Sequence, residues 1–385
     1  MTNKKKIALF VPAIGFGGAE KVVSLLTFEL PKYFDVTLIL LYDIVKLPIS
    51  KDVKVILLSN EGESFKSSKI EHFKDYINFI FKYNKTLKDE NIEVVISFML
   101  RQNAMTGLAK IFNPKLKSII SERCFPSKRY KTTKSIALIS KVLIPLLYNR
   151  NDKLFSNSIH INQDLTDHFN IKIDQNVIYN PIVLSPEQPY FNDYTDTAAP
   201  FKVSTIGRLI PVKNQNHILK SISKLPNNIL LDIYGDGELQ DELETLTKDL
   251  NLSSRVDFKG NVIDVRSKIM DNHCFVLSSL TEGFPNVLLE AMSVGIPVIA
   301  TNCMSGPLEL LNENQPVHID QGSFYKAKYG ILININDVEG LSKAILFLQQ
   351  NNKPRLEYAN LGYQRSKEYS IDIIGNQLKD LIDSI

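Results

Sequence analysis

Short runs of Ile, Val and Leu alternate with longer segments of helical period along this chain of 385 residues, and the alternation occurs twice. No other feature of the chain narrows the choice of fold so much. Near-continuous apolar runs are what strands buried on both faces look like, and strand–helix alternation brings such strands together as a parallel, doubly wound sheet. The first series is "KIALFVPA", "DVTLILLY", "VKVILLS", a long helical segment around 70–90, "EVVISFM" and "LKSIISE". A Pro-, Asn- and Asp-rich stretch, "VIYNPIVLSPEQPYFNDYTDTAAP", then reads as a linker. The second series is "FKVSTIGRL", "NILLDIYGDG", "RVDFKG", "HCFVLSS" and "PVIAT". The expected fold class is therefore α/β, with two Rossmann-like doubly wound domains over 1–185 and 186–355 and a helical segment over 356–385 that packs back on one of them. Two such units imply a cleft, where ligands of open α/β sheets bind.

Composition agrees with a folded protein of two cores: 44% apolar and 23% charged residues. There is no run of eighteen apolar residues to cross a bilayer. The basic start "MTNKKK" precedes an apolar run, as in a signal peptide. That run is short and leads straight into a Gly-rich turn, so it reads as a first strand. Three widely spaced cysteines, Cys124, Cys274 and Cys303, suggest neither a disulfide framework nor a metal knuckle, and fit a reducing cytoplasm. Charge is uneven. Residues 1–185 carry 27 Lys and Arg against 17 Asp and Glu, and the remainder 18 against 25. A basic first half suits a polyanionic partner.

Four stretches carry candidate chemistry. "GFGGAEK" places Gly17 and Gly18 between a strand and a helix, where backbone can approach a phosphate or sugar; a tight packing turn is the alternative. It is neither a dinucleotide fingerprint nor a Walker A loop. "GRLIPVKN" puts Arg208 and Lys213 after the first strand of the second series. Two cations at that edge suit a diphosphate and a developing charge on its leaving group, or are simply solvated. "RVDFKGNV" ends at Gly260 and Asn261, whose backbone can read a base edge. "TEGFPNVLLEAM" holds Glu282 in a strand-to-helix loop and Glu290 on the helix, with Pro285 expected in its first turn. The loop offers N–H groups to an anion, and no His or Asp cluster supports a metal. "YGDGELQDEL" reads as a structural turn.

In this order and spacing the motifs resemble retaining glycosyltransferases of family 4, which have the GT-B fold. The resemblance runs through "GGAE" at 17–20, "SFM" at 97–99, "SER" at 121–123, "YNP" at 179–181, "GRLIPVKN" at 207–214, "YGDGEL" at 234–239 and "EGFPNVLLEAM" at 282–292. "GIPVIAT" at 295–301, Ser305-Gly306-Pro307 with Glu309, and "YGILI" at 329–333 complete it. It implies a nucleotide-sugar donor, a UDP-sugar, held mainly by the second domain, with no metal and no cofactor. Arg208 and Lys213 would clamp the diphosphate and Glu290 the ribose hydroxyls. Glu282 would contact the sugar, and the N–H groups of Gly283, Phe284, Asn286 and Val287 would approach sugar and phosphate. Gly17 and Gly18 would face the diphosphate, with Gly260 and Asn261 near the base. Arg123 stands where many family members carry a His near the donor sugar. It is grouped with Glu282, Arg208 and Lys213 as catalytic, binding a phosphate of the acceptor or a donor hydroxyl; a salt bridge to a neighbouring acid is its plain alternative.

From Arg123 to Asn151 there are seven basic residues, Arg123, Lys128, Arg129, Lys131, Lys134, Lys141 and Arg150, and no acidic one, among many apolar neighbours. A basic amphipathic segment can lie on an anionic membrane; a core helix with a basic edge would look the same. The expected enzyme is a metal-independent retaining hexosyltransferase. It would move a hexose or N-acetylhexosamine onto a lipid-linked or cell-surface glycan, from the cytoplasmic face of the membrane and with no nucleic-acid partner. A GT-B nucleotide-sugar epimerase would need further acids and His in the cleft. A non-catalytic sugar- or lipid-binding subunit would not need the four charged residues intact.

Overall fold

The computed structural model describes all residues except 1–3, 60–68, 130–133, 186–188, 190–193, 197–198 and 263, and only the backbone of 69–77, 129 and 134–139. Tyr130 and Lys131 of the basic segment, and the side chains of Arg129 and Lys134, thus lie outside the described residues. The chain divides into two compact units, Met1–Pro181 with Ile371–Ile385, and Ile182–Ser370.

The first unit is built on a seven-stranded sheet. Its strands are β1 (Lys6–Val11), β2 (Asp35–Leu40), β3 (Lys54–Leu57), β4 (Val94–Phe98), β5 (Lys117–Glu122), β6 (Lys153–Ser156) and β7 (Asp174–Val177). They lie in the order β3-β2-β1-β4-β5-β6-β7, all parallel. Ile7, Ala8, Leu9, Phe10 and Val11 are all fully buried, because helices cover both faces of β1. Strand order reverses between β1 and β4, so the turn holding Gly17 and Gly18 opens at the switch point.

The second unit repeats the plan with β8 (Phe201–Ile206), β9 (Ile229–Tyr234), β10 (Val256–Gly260), β11 (Cys274–Leu277), β12 (Val298–Thr301), β13 (Phe324–Lys326) and β14 (Ile331–Ile333). Their order is β10-β9-β8-β11-β12-β14-β13. Only the β13–β14 pair is antiparallel. Here the switch point falls between β8 and β11, the two strands that lead into "GRLIPVKN" and "TEGFPN".

The tail expected as one helical segment over 356–385 is two helices that part company. Asn352–Lys367 belongs to the second unit and Ile371–Asp383 to the first. Ile374, Leu378, Leu381 and Ile382 enter the same apolar cluster as Ile7, Leu9 and Val11, an amphipathic stripe at helical spacing. Among the described residues, no helix is long and apolar enough to cross a membrane.

Candidate functional site

In the second unit the sequence candidates gather at the carboxyl edge of one sheet. Lys213 ends a short 3-10 turn, Pro211–Lys213, and its Nζ lies 2.6 Å from Glu282 Oε1. Both side chains are largely buried, at 22% and 11% exposure, so solvent screens this pair less than a surface one. Ser279 Oγ donates to the same oxygen at 2.6 Å. The two loops are also tied through backbone: Leu280 N–H donates to Val212 O (2.8 Å) and Ser278 Oγ to Lys213 O (2.8 Å). Asn214, in the left-handed region at φ 55°, reaches Ser278 O through Nδ2 and so closes the Lys213 turn onto β11. Arg208 is exposed, and its carbonyl accepts from Gln215 Nε2 at 3.0 Å.

The glycines of "YGDG" hold the neighbouring turn. Gly235 and Gly237 have φ of 129° and 154°, and an added Cβ would lie 2.0 Å from Gly207 O and 2.4 Å from Leu209 O. Only glycine lets β9 pass this close to the Arg208 loop. Gly235 N–H in turn donates to Gly260 O (2.8 Å), and Asn261 Nδ2 bonds Asp236 Oδ2. Gly260, at φ 65°, sits at the end of β10. Contacts thus run without a break from Gly260 through Gly235 and Gly207 to Arg208.

Glu290 lies in the second turn of the helix Asn286–Ser293 and is 4% exposed, not a solvated helix residue. Pro285, expected inside the first turn, is instead the residue just before the helix, at φ −82° and ψ 91°. The loop 282–284 is knitted to a second loop that the sequence reading treated only as part of a motif. Glu282 N–H donates to Met304 O (2.9 Å), Gly306 N–H to Gly283 O (3.1 Å), and Ser305 Oγ to Gly283 O (2.9 Å). Ser279 and Ser305 were missed. For Ser279 the signal lay in the pair of serines that closes "CFVLSS". Cys303 lies behind Glu282; burial, and then that carboxylate's charge, push its thiol pKa up.

Gly17, Gly18 and Arg123 belong to the first unit. Gly17 precedes the helix Gly18–Glu29 with an ordinary φ of −71°, so no unusual backbone conformation demands glycine there. Glu20 lies over it: a Cβ at Gly17 would meet Glu20 Oε2 at 2.1 Å. Among the described residues Arg123 forms no salt bridge; Nη1 donates to Asn180 Oδ1 at 2.6 Å. Among the described residues no three His, Cys, Asp or Glu side chains gather as a metal site.

Two doubly wound units, with a Lys–Glu pair and an exposed Arg at the switch point of the second, define a narrow class. Residues 191–365 match the family described as Glycosyl transferases group 1. The chain carries a glycosyltransferase group 1 domain. Over its whole length the chain is similar to two enzymes of Campylobacter jejuni. One is the N-acetylgalactosamine-N,N'-diacetylbacillosaminyl-diphospho-undecaprenol 4-alpha-N-acetylgalactosaminyltransferase, at 28% identity over 98% of this chain and 100% of the relative. The other is a GalNAc-alpha-(1->4)-GalNAc-alpha-(1->3)-diNAcBac-PP-undecaprenol alpha-1,4-N-acetyl-D-galactosaminyltransferase, at 27% identity over 99% of each. Among solved structures, Anabaena HepE in complex with UDP-glucose superposes with a TM-score of 0.76, covering 99% of this chain and 100% of that one at 16% identity. The fold is that of the GT-B glycosyltransferases.

Proposed function

We propose that this glycosyltransferase moves a hexose or N-acetylhexosamine from a UDP-sugar to a lipid-linked glycan, with retention and without a metal. The observation that carries this reading is the Lys213–Glu282 contact at the β8–β11 switch point, with Arg208 exposed on the adjoining loop. A donor diphosphate would compete with Glu282 for the Lys213 ammonium. As Lys213 turns to phosphate, the Glu282 carboxylate becomes available to the sugar hydroxyls, still positioned by Ser279. Arg208 and Lys213 would then neutralise the diphosphate and the charge that grows on it as the glycosidic bond breaks, the work a metal does elsewhere. Glu290 would accept from the ribose hydroxyls. The N–H groups of Gly283, Phe284, Asn286 and Val287 would approach sugar and phosphate, and Gly260 and Asn261 the base. Gly17 and Gly18 stand in the first unit, and their proposed part is close backbone approach to phosphate. The leaving phosphate would help deprotonate the acceptor as it attacks from the same face.

The relatives named for undecaprenol-linked substrates support a lipid-linked acceptor. The first unit would bind it, with an anionic membrane surface met through 123–150. In that segment the helix Lys134–Tyr148 leaves Val142, Leu143 and Leu146 exposed at 59%, 45% and 52%, beside exposed Lys141 and Arg150.

Transfer from UDP-sugars to a lipid-linked acceptor tests the reading. Arg208→Ala and Lys213→Ala are each expected to lower kcat by about 100-fold or more, the scale of losing one donor to developing charge. Near-normal turnover in both variants would remove the clamp.

A further inference from the structure

At the end of β5 a part-buried cation, Arg123, has no carboxylate in direct contact among the described residues. The register pairs Phe98 of β4 and Phe155 of β6 with Ser121 of β5, so the three form one row across the sheet. The two rings meet edge to face over Ser121, their centroids 6.0 Å apart. Arg123, just past the end of β5, lays its guanidinium over both, 5.2 Å from the Phe98 centroid and 5.0 Å from that of Phe155. A guanidinium has five N–H donors. Here only Nη1 is bonded, to the neutral Asn180 Oδ1 at 2.6 Å, and Nε is buried without a partner.

Among the described residues, no carboxylate comes within ion-pair distance of Arg123. Its neighbour Glu122 accepts instead from Tyr148 Oη (2.8 Å), from the Arg123 backbone N–H (3.0 Å) and from the Cys124 thiol (3.4 Å). Tyr148 is fixed in turn by Asn103 Nδ2, and Asn103 by Ser97 (2.9 Å), so this carboxylate is held in a buried network. Burial lowers the Arg123 pKa to about 9, with the Glu122 charge opposing it in part. A desolvated charge that is only partly compensated favours a ligand of the opposite sign. Two more buried groups at this edge make no hydrogen bond among the described residues: Ser121 Oγ near the end of β5, and Asn157 Oδ1 just past β6. Asn157 precedes Ser158, which caps the eleven-residue helix Ile159–Phe169, whose N-terminus favours negative charge.

We infer that Arg123, joined through Asn180 to Asn157 just before the Ile159–Phe169 helix, binds a phosphate oxyanion of the acceptor. A lipid-linked glycan carries such a group where sugar meets lipid, so the assignment of the source rests on the proposed function. A guanidinium suits it better than a lysine, because its planar fork makes two parallel bonds to phosphate.

Binding is tested apart from turnover. In the full chain carrying Arg208→Ala and Lys213→Ala, so that the second unit's cations are gone, inorganic pyrophosphate should slow hydrogen exchange in β5 and the following turn. Adding Arg123→Gln should weaken that binding about tenfold or more, with Arg123→Lys falling between. Asn180→Asp, which keeps Arg123 and supplies a built-in carboxylate, should weaken it too and guards against misfolding of the Gln variant. No pyrophosphate protection, or equal protection in Arg123→Gln, overturns the site. A soluble short-chain prenyl diphosphate should displace pyrophosphate and UDP should not; displacement by UDP alone would move the site to the donor. Pyrophosphate binding without any sugar transfer would leave the site standing while the proposed function falls.

Discussion

His273 is packed against Phe201 and Tyr194, with ring centroids 5.1 and 4.7 Å away, and its Nδ1 accepts the Lys202 N–H at 2.9 Å. That acceptor role needs the neutral ring. Burial first, then the Arg355 and Lys202 charges, push its pKa down to about 4. An unfolded His titrates near 6.5. Between about pH 6.5 and 4 the unfolded chain therefore holds more protons than the folded one, and stability falls as pH falls through that window, levelling below it. Denaturant unfolding from about pH 7.5 down to about pH 4.5 should show the wild type losing stability that His273→Asn does not lose. Parallel pH curves for the two would disprove it. At this scale the sequence spoke clearly where chemistry is local. Arg208, Lys213, Glu282 and Glu290 announce themselves by type and by their position after strands. The aromatic seat of Arg123 did not, because it depends on Phe98 and Phe155 meeting over Ser121, which only the register of three strands decides.

Among the elements, the helix Lys134–Tyr148 shows both how a sequence pattern leads and how it misleads. Its basic and apolar residues fitted a membrane-facing helix and a core helix equally well. The structure shows one buried face, with Ile144, Leu147 and Tyr148, and one exposed face, with Val142, Leu143 and Leu146. Its approach to the neighbouring helix Leu100–Phe112 is set by Gly107, where a Cβ would lie 2.2 Å from Leu147 O. In the sequence Gly107 looks like an ordinary glycine tolerated in a helix, since the helix it admits lies forty residues away. The outward apolar side chains give the membrane proposal its test. Val142→Ser, Leu143→Ser and Leu146→Ser should each weaken binding to vesicles rich in anionic lipid by about tenfold or more, at ~1.5–3 kcal/mol for each apolar side chain removed from water. Unchanged vesicle binding would leave this helix out of any membrane contact. The loops 281–283 and 302–306 were less legible than the helices. Their hydrogen bonds join residues more than twenty positions apart, and no periodicity records them.

Across the whole molecule, the alternation of strand and helix was enough to foresee two doubly wound units, because parallel strands need helical crossovers and buried ones need apolar runs. Which unit the tail joins was not readable, since an amphipathic helix fits any apolar groove. In the structure Ile371–Asp383 closes the first unit. Gly375 lets it pass beside the buried Glu29, whose Cγ would lie 2.5 Å from an added Cβ. Tyr33 Oη bonds Asn376 Oδ1 at 3.1 Å, and Lys32 pairs with both Glu29 and Asp372. Deleting residues 371–385 should therefore destabilise the first unit while sparing the second. Limited proteolysis of the truncated chain is expected to leave a resistant fragment from within 182–370. A truncated chain whose first unit resists protease as well as before would contradict this.

That tail also sets an order in time. A ribosome releases residues 182–370, a contiguous unit, before it releases the last turns that the N-terminal unit needs to bury Ile7, Leu9 and Val11. The part made first is finished last, against the usual sequence in which domains fold as they emerge. Until residues 371–385 emerge, the first unit waits with an open apolar groove shaped for them, and that interval is when a chaperone would have most to hold.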